Sequence, residues 1–119
     1  MLRKAFVLSL LTWLGVANAA QAHAHLLSSV PADVASAPPS ALRLNFSEGV
    51  EPKLSGVTVT GPANTTLPTG TPSLAKDDDK VLIVPIAQAP GAGTYTVNWH
   101  ALSKDGHVTH GSYMFKVTP

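Results

Sequence analysis

Apolar and polar positions alternate along this chain in short bursts. Leu42, Leu44 and Phe46 alternate with Arg43, Asn45 and Ser47. That period of two turns one strand face to a core and the other to water. Val57 and Val59 alternate with threonines between Gly56 and Gly61, and Val81 to Val84 is a short apolar run ending at Pro85. Tyr95, Val97, Trp99 and Ala101 alternate with Thr96, Asn98 and His100, and Tyr113, Phe115 and Val117 with Met114 and Lys116. His25 to Ser29, ahead of Val30-Pro31, supplies a first short strand. No stretch beyond residue 25 carries a helical apolar period, so no helix longer than two turns is expected there. Ten prolines and nine glycines punctuate the runs, and Pro31 to Pro39, Pro62 to Ser73 and Lys76 to Lys80 read as loops. About seven short strands spaced in this way predict an all-β sandwich or small barrel. Leu42, Leu44, Phe46, Val57, Val59, Val97, Trp99, Tyr113, Phe115 and Val117 form the expected core, with Trp99 as a stiff wall within it.

The first 22 residues follow a different pattern. Arg3 and Lys4 precede an apolar run from Ala5 to Val16, and small residues come next. This is the layout of a secretory signal peptide, and the run falls short of the about 20 apolar residues of a membrane-spanning helix. Three sites of A-x-A type overlap, at Ala17-Asn18-Ala19, Ala20-Gln21-Ala22 and Ala22-His23-Ala24. We favour the second, which leaves His23 as the first residue of an exported chain. The expected organisation is a signal peptide over residues 1–22 and one domain over residues 23–119, with no membrane insertion once the signal is removed.

Composition then narrows the chemistry. A chain of 119 residues with 45% hydrophobic content suits one globular domain. It has no cysteine, which excludes disulfides, thiolate metal sites and thiolate catalysis. The formal charge is +1, and it becomes −1 without Arg3 and Lys4, so nothing favours nucleic acid or an anionic membrane surface. The chemistry-bearing groups that remain are five histidines. Three of them lie between Trp99 and His110, in a stretch that also holds Asp105-Gly106-His107. Asp105 and His107 share a face if the segment is extended, or a loop mouth if Asp-Gly makes a turn. A carboxylate beside an imidazole is also a common structural pair. His100 falls on the polar side of its strand, and His110 stands an odd number of residues from His107; both read as surface residues.

The other two histidines change the weighting. A chain beginning His23-Ala24-His25 offers an α-amine and an imidazole on one residue. With a reference pKa of about 7.7–8.0, that amine can yield its proton to a metal near neutrality. His23, His107 and Asp105 together supply three nitrogens and one oxygen. Such a set in tetragonal array suits Cu(II), with zinc as the chemical competitor. His25, third from the expected terminus, can alternatively wrap Cu(II) locally with two deprotonated backbone amides, without Asp105 or His107.

At these residues the chain resembles a known family. The run Gly93-Thr94-Tyr95-Thr96-Val97-Asn98-Trp99, then Ser103-Lys104-Asp105-Gly106-His107, then Gly111 to Val117, is similar to the C-terminal signature of the CopC family of periplasmic copper-binding proteins. His23-Ala24-His25-Leu26, Ser28 to Ala32 and Leu42 to Glu48 match as well. The resemblance implies a Greek-key β-barrel, also described as an immunoglobulin-like sandwich, that binds one Cu(II) per chain. It implies that His23 acts through amine and imidazole, with Asp105 and His107, and that His25 is a further ligand or orients the site. It also implies a periplasmic, non-enzymatic role in copper sequestration, resistance or delivery to an inner-membrane transporter of the CopD type. Some family members also hold Cu(I) in a methionine-rich loop. Here there are two methionines, Met1 and Met114, so a Cu(II)-only member is implied. Two other readings are a copper monooxygenase built on an N-terminal histidine and a metal-free β-sandwich interaction module.

Overall fold

The computed structural model describes residues 23–119. The expected signal peptide, residues 1–22, and its cleavage site at Ala22 lie outside the described residues. Nine strands follow in order: β1 Leu26–Val30, β2 Val34–Ala35, β3 Ala41–Phe46, β4 Gly56–Thr60, β5 Thr66–Leu67, β6 Ser73–Ala75, β7 Asp78–Pro85, β8 Gly93–Leu102 and β9 Val108–Val117. They form a four-stranded sheet, β1-β3-β7-β6, and a five-stranded sheet, β2-β9-β8-β4-β5. Neither sheet closes on itself, so the architecture is an all-β sandwich rather than a barrel. Every pairing is antiparallel except that of β2 with β9. Among the described residues the helical turns are two short 3-10 turns, Pro52–Leu54 and Pro62–Asn64, each opening at a proline, whose fixed φ suits a first helical position. No described helix is long and apolar enough to cross a membrane.

The alternation seen in the sequence builds the core. Leu42, Leu44 and Phe46 of β3 and Leu82 and Val84 of β7 point from one sheet. Val59, Val97, Trp99, Ala101, Phe115 and Val117 point from the other, and all of these are buried. The Phe46 and Trp99 rings meet across the sandwich edge to face, with centroids 5.3 Å apart and planes at 72°. Tyr95 and Phe115 stack at 5.3 Å and 16° within the five-stranded sheet.

Several expectations need correction. Val57 and Tyr113 are only partly buried, although both pack against the core. The cause is the shortness of the edge strands. β5 covers β4 only at Val59 and Thr60, and β2 covers β9 only at Lys116 and Val117, so Val57 and Tyr113 sit where their strands are sheet edges. Among the described residues the enclosed Tyr113 hydroxyl has no hydrogen-bond partner, and burial pushes its pKa up to about 12. The expected loops at residues 31–39 and 62–73 contain β2, β5 and the first residue of β6. The expected loop at 76–80 ends in β7, whose Asp78 pairs with Ala75 around a turn in which Asp77 has φ +62°. These edge segments pair through main-chain hydrogen bonds, which need no apolar pattern. They raise the count from about seven strands to nine.

The β8–β9 hairpin is the longest pairing, running from Gly93↔Val117 to Leu102↔Val108. Gly111 makes room for it. It lies opposite Trp99, and a Cβ there would come within 2.5 Å of the indole Cζ2. Gly111→Ala should therefore destabilise the fold by about 1–3 kcal/mol through overpacking, read as a lower urea midpoint at unchanged slope. An unchanged midpoint would mean that the indole yields freely.

Candidate metal centre

Five residues, Ser103 to His107, close the β8–β9 hairpin beyond its last pair. The Asp-Gly turn, not the extended form, is what the chain adopts. Gly106 donates its N–H to the Ser103 carbonyl at 2.9 Å and has φ +94°, a conformation that glycine reaches at little cost. The Ser103 N–H donates to the His107 carbonyl at 2.9 Å, and the Lys104 N–H ties the loop to the Gly49 carbonyl at 3.0 Å. The loop is thus pinned to its own base and to the segment after β3.

Ser103, which is buried, organises the carboxylate. Its hydroxyl donates to Asp105 Oδ1. The His107 main-chain N–H donates to the same oxygen at 3.2 Å, and His107 Nδ1 lies 3.1 Å from it. The Ser103 hydroxyl bond leads in holding the Asp105 carboxyl below its ordinary pKa, with His107 adding to the effect. The group is therefore an anion at neutral pH. Oδ1 is occupied by these donors, and among the described residues Oδ2 carries no hydrogen bond. With Nδ1 of His107 turned to Asp105, Nε2 is the imidazole nitrogen left for a ligand.

The start of the described chain docks on this loop. Ala24 is fully buried, and its carbonyl accepts a hydrogen bond from Thr109 Oγ1 at 2.8 Å. Ser47, just past β3, grips both sides of it. Its Oγ accepts the His25 N–H at 2.9 Å and donates to the His23 carbonyl at 3.3 Å, and its N–H donates to the His25 carbonyl at 2.8 Å. A small residue pressed into the core and two hydroxyl side chains thereby fix where His23 emerges. Its imidazole stacks on that of His107, with centroids 4.5 Å apart and planes at 20°.

The fold therefore brings His23, Asp105 and His107 together, across more than eighty residues of sequence. His25 is exposed, and Ser47 holds its main chain. His100 and His110 are exposed, as their strand positions required. Among the described residues no three His, Asp or Glu side chains close into a ready metal cage, and Asp105 Oδ1 is taken up by donors of its own loop. The donor set nonetheless fits a borderline divalent ion: two imidazoles and a carboxylate with a free oxygen. Ser103, Ser47, Thr109 and Ala24 are the functional neighbours that sequence reasoning left unassigned. Ser103, two residues ahead of Asp105, carried a local signal, since serine hydroxyls commonly bond nearby loop groups. Ser47 and Thr109 carried none, because their partners lie 24 and 85 residues away.

Comparisons with known proteins bear on the domain as a whole. A CopC domain matches residues 26–118. Protein YobA of Escherichia coli K12 is 46% identical over 114 residues, covering 94% of this chain and 92% of YobA. The crystal structure of CopC from Methylosinus trichosporium OB3b superposes with a TM-score of 0.75 at 29% identity, covering 82% of this chain and 95% of that one. The structure of PcoC, a methionine-rich copper resistance protein from Escherichia coli, superposes with a TM-score of 0.73 at 35% identity, covering 82% of this chain and 100% of that one.

Proposed function

The chain belongs to the CopC family of copper resistance proteins, and on that premise we propose that it is a periplasmic, non-enzymatic Cu(II) carrier. It sequesters one Cu(II) per chain or passes it to an inner-membrane copper transporter of the CopD type. The observation that carries this reading is the His23 imidazole stacked on His107 beside the Asp105 carboxylate. Copper is cargo here, and the chain's own groups do the holding. Cleavage after Ala22 frees an α-amine on His23, which joins its imidazole as a chelating pair. His107 offers Nε2 and Asp105 its free Oδ2. Three nitrogens and an anionic oxygen favour Cu(II), and the carboxylate charge disfavours its reduction to Cu(I).

Methionine content supports the choice of oxidation state. Met114 stands exposed on β9, Met1 falls in the expected signal peptide, and no other methionine exists. A thioether cluster for Cu(I) therefore has no material.

The test is a competition titration of the chain beginning at His23. Asp105→Ala and His107→Ala should each lower Cu(II) affinity by about tenfold to a hundredfold, since one ligand or its immediate support is lost. Offered Cu(I) under anaerobic, reducing conditions, the protein should give all of it up to a Cu(I) chelator. If both variants bind as tightly as the parent, the metal is held by His25 and the backbone alone, and the folded site is wrong.

A further inference from the structure

The register of the β8–β9 hairpin places His100 directly opposite His110. Both are exposed on the outer face of the five-stranded sheet. On the far side of His100 the same row ends in Gly56 of β4, which has no side chain to crowd them. The row therefore presents two imidazoles, with the His100 ring and Pro72 lying over Gly56.

We propose that His100 and His110 form a second, weaker metal site, taking Cu(II) or another imidazole-preferring divalent ion such as Zn(II). Directly paired residues on antiparallel strands have Cβ atoms about 4.5–5.5 Å apart. Two imidazole nitrogens on one ion, each at about 2.0–2.1 Å, stand close to 3 Å apart, a span that such a pair closes by side-chain rotation. The His100 ring rests over Gly56, with Cε1 at 3.5 Å from where a Cβ would stand. It must turn toward β9 to share the ion, and as an exposed side chain it can do so without disturbing the core. Water completes the coordination, and the order of divalent affinities puts Cu(II) first. The site lies three residues along β9 from His107, roughly 10 Å at the rise of a strand. One hairpin thus carries a strong site at its tip and a weak one on its outer face. The outer site uses none of the tip residues and stands whether or not the tip binds copper.

The test is titration of the chain beginning at His23 with Cu(II), and separately with Zn(II), followed by calorimetry and, for copper, by electron paramagnetic resonance. Two equivalents of Cu(II) are expected, the second at least tenfold weaker and with its own spectrum. H100A and H110A should each abolish the second equivalent and leave the first unchanged, whereas H107A should weaken the first and leave the second. Saturation at a single equivalent that H100A and H110A leave unchanged would overturn the proposal. So would a second equivalent that survives the H100A/H110A double variant, including one that disappears instead with H25A. Loss of the tip site with the outer one intact would count against the proposed carrier function alone.

Discussion

A chain with one or more residues ahead of His23 should bind Cu(II) about a hundredfold more weakly than one that begins at His23, a loss of about 3 kcal/mol. The argument rests on a single nitrogen. In the processed chain that nitrogen is an amine, which surrenders its proton to a metal near neutral pH. In an extended chain it is a peptide nitrogen, far less basic, and the chelate that joins it to the imidazole is gone. Nothing else in the site need change. Ala24 remains buried, Ser47 and Thr109 keep their hydrogen bonds to the segment, and the imidazole of His23 stays against His107. The comparison isolates the amine for that reason. It is made by competition against a chromophoric chelator, with mass spectrometry fixing the first residue of each sample. Equal affinities for the two chains would remove the α-amine from the ligand set.

Phe115→Ala should be the most damaging single truncation in the core, costing about 3–5 kcal/mol. For a domain of this size that lowers the melting temperature by more than about 12 °C. Phe115 is 1% exposed, stacks on Tyr95 and lies on the strand that carries Thr109 and follows directly on His107. The neighbouring Met114 provides the control. It is 60% exposed on the opposite face of β9, so Met114→Ala should change stability by no more than about 0.5 kcal/mol. Thermal unfolding of the metal-free chains measures both. A loss below about 1 kcal/mol at Phe115 would mean that the sandwich repacks around the gap and that β9 is not the rigid support the site needs.

The two experiments probe different links of the same chain of causes. The core variant acts through packing that holds the hairpin in place. The terminal extension acts on coordination chemistry with the packing intact. Copper should restore part of the stability lost in Phe115→Ala, because an ion bound only by the folded state adds to its stability by mass action.

What the sequence determined by itself was the part governed by local rules. Period-two alternation at Leu42 to Phe46, Val57 to Val59 and Tyr95 to Ala101 identified the central strands and most of the core, because a strand face must be uniformly apolar to be buried. The cysteine-free composition and the histidine pairs defined what kind of site was chemically possible, and the Asp-Gly turn was open as one of two local forms. Tertiary structure decided the rest. The two- and three-residue edge strands carry no apolar pattern and exist only because a neighbour offers main-chain partners. Val57 and Tyr113 lost their full burial where those edges end. The meeting of His23 with His107 depends on Ala24 filling a core position and on Ser47 and Thr109 capturing its main chain, hydrogen bonds between residues far apart in sequence. His100 and His110 read as two unrelated surface residues until the hairpin register set them face to face. No local period encodes a distance between strands; it arises only when the sheet forms.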